Sequence, residues 1–157
     1  MSDTYTNIVI HLVFAVRHRE ALILPHFREE LQKTMTGAFR KYGQKVLAIY
    51  CMPDHVHILF DHRPSIGLSD LVKYVKVATT MWIREKGFLK TPFHWQNGYG
   101  GFSFHGEDLD GIIHYIMNQE QHHREKKFRD EYKGILQRLR IDHDDRNLFV
   151  DISGDGS

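Results

Sequence analysis

Residues 45 to 61, Lys45-Val46-Leu47-Ala48-Ile49-Tyr50-Cys51-Met52-Pro53-Asp54-His55-Val56-His57-Ile58-Leu59-Phe60-Asp61, read as two strands joined by a tight turn. Lys45–Met52 and His55–Asp61 are dominated by apolar and β-branched residues, which suit a pleated, buried surface. Pro53-Asp54 between them supplies turn chemistry: proline fixes its φ, and aspartate bonds back to the backbone. So short a connection joins antiparallel neighbours. Side chains alternate along a strand, so His55 and His57 share one face while Val56, Ile58 and Phe60 point into the opposite layer.

Upstream of this hairpin, Phe27–Tyr42 places Leu31, Met35, Ala38 and Phe39 on one helical stripe, and Gly43 stops the helix. Arg17–Pro25 is a basic connection. Tyr5–Val16 is apolar on both faces, as expected of a central strand covered on both sides. Downstream, Pro64-Ser65 opens a second helix that runs to about Lys86, with Leu68, Leu71, Val72, Val75, Thr79 and Trp82 at helical spacing and Gly87 after it. Phe93–Phe104 is aromatic and glycine-rich and suits a last strand or bent pair of strands. A third helix is expected from Glu107 to about Lys127, and a further one over Phe128–Arg140. The order strand, helix, strand, strand, helix, strand predicts an α+β, ferredoxin-like antiparallel sheet with two helices on one face. The extra C-terminal helix, which carries Tyr115, is then free to cover the other face.

At 157 residues the chain fits one domain, with a core over about 4–140 and a polar tail from about Ser153. The lone cysteine, Cys51, excludes an internal disulfide and fits a reducing cytoplasm. Met1-Ser2-Asp3-Thr4 lacks the character of a signal peptide, and no apolar run approaches a membrane span, so a cytoplasmic protein is expected. A net charge of +1 decides nothing about nucleic acid, because a basic face can hide inside a neutral total. The 12 histidines are the unusual count, and histidine is the commonest metal ligand.

Two imidazoles about 7 Å apart along one strand face can converge on a divalent ion. The plain alternative for His55 and His57 is a pair of hydrogen-bonded histidines on a half-exposed strand. Tyr115 and Gln119 stand four residues apart and share a helix face, with Ile112 and Ile116 beside them to dock that helix on the sheet. A tyrosine hydroxyl is a nucleophile once deprotonated, but a phenol ordinarily titrates near 10, so a nearby cation must help. The glutamine amide oxygen is a neutral, hard ligand suited to Mg²⁺ or Mn²⁺. Read separately, Tyr115 is a core residue and Gln119 a solvated one. Read together with the histidines, they form a centre with open positions for phosphate oxygens.

Met52-Pro53-Asp54-His55-Val56-His57 followed by Tyr115-Ile116-Met117-Asn118-Gln119 resembles the small single-tyrosine, HUH-type transposases of the insertion-sequence 200/605 group. Tyr5–Phe14 and Trp95–Ser103 resemble them too. The resemblance implies that His55 and His57 bind the metal, that Gln119 is its third ligand, and that Tyr115 attacks a DNA phosphate. A 5′-phosphotyrosine link would form, to be resolved by another strand's 3′-hydroxyl. It further implies single-stranded DNA with hairpin ends as substrate, and a homodimer in which one subunit's tyrosine helix can complete the other's histidine site. Gly98, Gly100, Gly101 and Gly106 then suit a hinge before that helix, although bends and bulges also use glycine.

Other residues carry weaker signals. His11 reads as a core histidine, or as a supporting neighbour of the pair. His114, His122 and His123 share the tyrosine helix, and Tyr132 is a rival nucleophile better suited to packing. Arg17, His18, Arg19, Lys73, Lys76, Arg84, Lys86 and Lys90 are candidates for gripping phosphates, and Trp95, Tyr99 and Phe102 for stacking unpaired bases. Two rival functions remain. One is a non-catalytic or domesticated nucleic-acid-binding module, since the fold also hosts RNA-binding sheets. The other is a histidine-triad hydrolase, but Leu59 stands where its third histidine belongs.

Overall fold

The structure, a computed structural model, describes residues 3–104, 109–119, 128–138 and 141. Four strands, β1 (Val9–Ala15), β2 (Lys45–Cys51), β3 (His55–Asp61) and β4 (Gly100–Phe104), form an antiparallel sheet in the order β2-β3-β1-β4. The two most apolar strands take the two central places, so the expected central position of β1 and the Pro53-Asp54 hairpin are both present. Helices α1 (Pro25–Lys41) and α2 (Leu68–Lys86) pack on one face. Ile10, Leu12, Phe14, Val56, Ile58 and Phe60 point into that layer and meet Phe27, Leu31, Met35 and Phe39 of α1 and Leu71, Val72 and Val75 of α2.

Several boundaries are shorter than the sequence implies. The first strand begins at Val9 rather than Tyr5, whose side chain is exposed. Of the expected Phe93–Phe104 strand only Gly100–Phe104 pairs fully, while Trp95 makes a single bridge to Val16. The second helix starts after Gly67, so Pro64 and Ser65 belong to the turn before it, and Gly87 closes it with φ 67°, a left-handed conformation open to glycine.

The other sheet face is covered by α3 (Leu109–Met117), which carries Tyr115, and α4 (Phe128–Arg138). Ile116 packs with Val9, Ala48 and Leu59, and Ile112 and Ile113 lie against that cluster. Tyr132, Ile135 and Leu136 pack with Val13, Ala15 and Phe102. Gly100 makes the second contact close: a Cβ there would meet the Tyr132 hydroxyl at 2.5 Å. Tyr132 thus packs on the sheet, and burial raises its hydroxyl above the usual tyrosine range. The expected continuation of the tyrosine helix, with His122, His123 and the 124–127 charge run, lies outside the described residues. So do Gly106, residues 139–140 and the tail from Ser153.

Candidate active site

The surface between α3 and α4 exposes to its helices the one polar stripe in an otherwise apolar layer. His55 and His57 are presented there by β3, and His11 by β1, all essentially buried. Strand register makes this unavoidable: Val13 pairs with His57 and Ala15 with His55, so small or aliphatic neighbours flank the imidazoles. The His55 and His57 rings lie 5.1 Å apart, near-perpendicular.

Each imidazole is held by its Nδ1. His55 Nδ1 donates to Asp54 Oδ1 at 2.7 Å. The other Asp54 oxygen, Oδ2, accepts from Arg19 at 2.7 Å through Nε and at 2.6 Å through an Nη. Burial works to raise the Asp54 carboxyl, but its His55 and Arg19 contacts outweigh this and bring it down to about 2. Burial, against the pull of Asp54, keeps the His55 imidazole below its usual value and therefore neutral. With Nδ1 carrying the proton, a neutral His55 has its lone pair on Nε2, which is the ligating form.

Arg19 reaches Asp54 from a tight turn in which His18 and Arg19 both have positive φ, 58° and 56°. Such conformations cost side-chain-bearing residues on the order of 1–3 kcal/mol each and persist only where surroundings enforce them. Here the enforcement is visible: Val16 N–H donates to the Asp54 carbonyl at 2.8 Å and Ile23 N–H to the Pro53 carbonyl at 2.9 Å. Arg19 is therefore a buried partner of Asp54 rather than an exposed phosphate grip.

His57 Nδ1 and His11 Nε2 are 2.9 Å apart, with the rings stacked at 5.1 Å. Burial lowers His11 to about 4, so the His11 ring is neutral near pH 7. On its other side, His57 Nε2 lies 3.5 Å from Oε1 of Glu131, a buried acid on α4. Sequence reasoning missed Glu131 and Asp54. The first was one acid in a charged helix. The second was visible only as a turn residue, although its place beside His55 was a usable signal.

Tyr115 joins the same cluster from α3. Its ring centroid is 6.0 Å from that of His57 and 6.3 Å from that of His11, edge-on to both. The Tyr115 ring thus meets His57 and His11 within one chain. Gln119 follows one turn later and is buried, with its Nε2 donating to the Tyr115 carbonyl at 3.2 Å. That contact uses the amide nitrogen and leaves Oε1, the atom a hard cation would take, outside it. Among the described residues no three His, Cys, Asp or Glu side chains are grouped so as to hold a metal ion by themselves. Two neutral imidazoles and an amide fit a divalent cation in kind, and they need oxygen from elsewhere to complete a coordination sphere.

The aromatic candidates for base stacking divide. Trp95 is buried, with its indole N–H on Thr79 Oγ1 at 2.9 Å, and Phe102 is buried beside Tyr132. Tyr99 is half-buried, and its hydroxyl is 3.0 Å from Ser69 Oγ.

Comparison with known proteins follows this geometry. A family model described as transposase, IS200 like, matches residues 4–119. The IS200 insertion-sequence transposase of Salmonella typhimurium is 24% identical over 124 residues, covering 76% of this chain and 81% of that protein. The ISDra2 transposase TnpA of Deinococcus radiodurans is 29% identical over 69 residues, 44% of this chain, and the match spans only 49% of that protein. Among solved structures, a candidate transposase from D. radiodurans R1 superposes with a TM-score of 0.60 at 24% identity, covering 76% of this chain and 96% of that one. A REP-associated tyrosine transposase bound to a REP hairpin superposes at 0.56 with 18% identity, covering 78% and 74%. These last two likenesses establish a shared fold.

Proposed function

Because the chain belongs to the IS200-like transposase family, we propose that it cleaves and rejoins single-stranded DNA with Tyr115 as nucleophile, at a centre where His55, His57 and Gln119 hold Mg²⁺ or Mn²⁺. The observation that carries this reading is the Tyr115 ring 6.0 Å from His57 within one protomer. Neither residue type is unusual alone, but a phenol delivered by a separate helix beside buried imidazoles puts a nucleophile next to groups that can hold an activating cation.

In the reaction, the Tyr115 oxygen attacks phosphorus as the phenolic proton leaves. The bond from phosphorus to the 3′-oxygen breaks, and that oxygen takes up a proton as a 3′-hydroxyl. The 5′-phosphotyrosine conserves one phosphodiester-type bond, so a second strand's 3′-hydroxyl can displace Tyr115 without nucleotide hydrolysis. A bound divalent cation would polarise the phosphate and offset charge as it develops. The protein's own part is to hold His55 neutral through Asp54, hold His57 through His11, and keep the Tyr115 ring beside His57. A relative bound to a REP hairpin supports hairpin-ended DNA as substrate. The same reading has two copies acting on two strands as a homodimer, each Tyr115 starting beside its own histidines. Among the described residues no helix is long and apolar enough to cross a membrane.

The test is a mixture of hairpin-ended single-stranded oligonucleotides incubated with Mg²⁺ or Mn²⁺ and run on a denaturing gel. A protein band shifted by covalently attached DNA, with a free 3′-hydroxyl on the released piece, is expected. Neither adduct nor cleavage with both metals would reject the reading.

Asp54→Asn tests the support of the histidines. An asparagine can still accept from His55 but no longer neutralises Arg19. Changes to groups that orient metal ligands typically weaken binding roughly 10–100-fold. We expect Mn²⁺ affinity, measured by calorimetry, to fall within that range, and unchanged affinity would remove Asp54 from the centre. Without metal, the native carboxylate's contribution to stability is complete above the ordinary carboxylate range. It is lost as pH falls toward about 2, because the folded value is the depressed one.

A further inference from the structure

A groove of about 550 Å³ runs between α2 and the segment 94–99, on the face of the sheet away from the histidines. Its lining includes Lys73, Lys76, Arg84 and His94 and, among the described residues, no aspartate or glutamate. On its apolar side Val77 and Met81 are half exposed or more, at 50% and 56%.

Two of these cations are fixed in place by the backbone. Lys76 Nζ donates to the Gln96 and Gly98 carbonyls at 2.8 and 2.7 Å, which shapes the floor of the groove. Arg84 donates to the Phe93 carbonyl at 2.8 Å through an Nη and also lies 3.2 Å from the His94 ring. Arg17 lies outside that lining but adjoins it, its backbone N–H donating to the His94 carbonyl at 2.9 Å. Burial first, and then the charges of Arg17 and Arg84, hold His94 below its usual value, as expected where positive groups gather around a ring. Positive charge gathered in a groove, with exposed aliphatic surface beside it, suits a chain of phosphates that carries bases alongside.

Backbone contacts link the edge of the groove to the active centre. Arg17 follows Val16, whose N–H bonds the Asp54 carbonyl, and Asp54 is the residue that orients His55. A strand leaving His55 around that end of the sheet reaches Arg17 first, then His94 and Arg84, then Lys73.

We propose that this groove binds the backbone of the single-stranded DNA flanking the scissile phosphate, with Arg17, Arg84 and Lys73 as its phosphate contacts. The proposal rests on the reading of the chain as a DNA-cleaving transposase. It adds a second binding surface, around the end of the sheet from the chemistry.

Fluorescence anisotropy with oligothymidylates of about 6 and about 16 nucleotides, over a range of salt, tests it. The shorter probe is expected to occupy the active centre, and only the longer one to extend from there into the groove. Arg17→Ala with Lys73→Ala removes two exposed cations without touching the bonds that shape the groove. Losing two single-strand phosphate contacts should lower the slope of log affinity against log salt by about 1.4. That loss is expected for the longer probe only, with the shorter probe's binding serving as the control for fold. An unchanged slope with the longer probe overturns the proposal, and so does an equal loss with both probes. A slope change seen only when the extension is duplex also overturns it, since the occupant would then be a stem. If the wild-type protein shows the length-dependent slope but never forms a covalent adduct, the functional reading fails and the groove stands. If it forms the adduct but shows no length dependence, the groove alone fails.

Discussion

Tyr115→Phe is expected to abolish the covalent protein–DNA adduct and reduce cleavage at least about a thousandfold, the scale typical of losing a nucleophile. The substitution removes one oxygen and leaves the ring. The edge-on contacts of that ring with His57 and His11, at 6.0 and 6.3 Å between centroids, are made by carbon surface and survive. Melting temperature and affinity for uncleaved DNA should therefore stay near the wild-type values, which separates loss of chemistry from loss of structure. Tyr132 is the residue to watch as a substitute. Its hydroxyl is packed where a Gly100 Cβ would lie, and burial raises its proton affinity, which disfavours the nucleophilic phenolate. A Tyr115→Phe protein that still forms the adduct at the wild-type rate would assign the nucleophile elsewhere, and the Tyr115,Tyr132 double variant would then locate it.

The fold was legible because its strands obey simple periodicities. Val56, Ile58 and Phe60 alternate with His55 and His57, and the structure puts one set under α1 and α2 and the other under α3 and α4. The all-apolar β1 announced its central place for the same reason. What failed locally were the ends. Tyr5–Ile8 and Phe93–Tyr99 have strand-forming residues but find no complete neighbour, and pairing, not propensity, makes a strand. At the site, His55, His57 and Tyr115 came from spacing within single elements. Glu131, His11 and Arg19 owe their places to contacts between elements distant in sequence: α4 on β3, β1 on β3, and a strained turn on the hairpin. Arg19 in particular looked like one of several basic residues in a surface connection. Only the enforced positive φ and the Asp54 contact mark it as part of the support beneath His55.

His57→Ala is expected to cost both activity and stability, and the two losses have different origins. The imidazole is fully buried between His11 Nε2 at 2.9 Å and Glu131 Oε1 at 3.5 Å. Truncation removes a proposed ligand, and it also strips a buried carboxylate and a buried ring of the neighbour they share. Emptying a buried side chain's volume and leaving its polar neighbours unmet costs roughly 2–5 kcal/mol together. In a chain of this size each kcal/mol lowers the melting temperature by about 2–4 °C, so a fall on the order of 10 °C is expected. Adding Glu131→Gln to His57→Ala puts an amide, which can donate as well as accept, beside the emptied site and should recover part of that fall. It should recover none of the cleavage, because the amide restores no imidazole to the centre. Metal gives the sharper discrimination. A cation at free concentration c that binds only the folded protein stabilises it by RT ln(1 + c/Kd), which raises the melting temperature. Mn²⁺ should therefore stabilise the wild-type protein measurably and the double variant hardly at all. If Mn²⁺ protected both equally, or if His57→Ala cleaved DNA at the wild-type rate, His57 would be a packing residue and the cation would sit elsewhere.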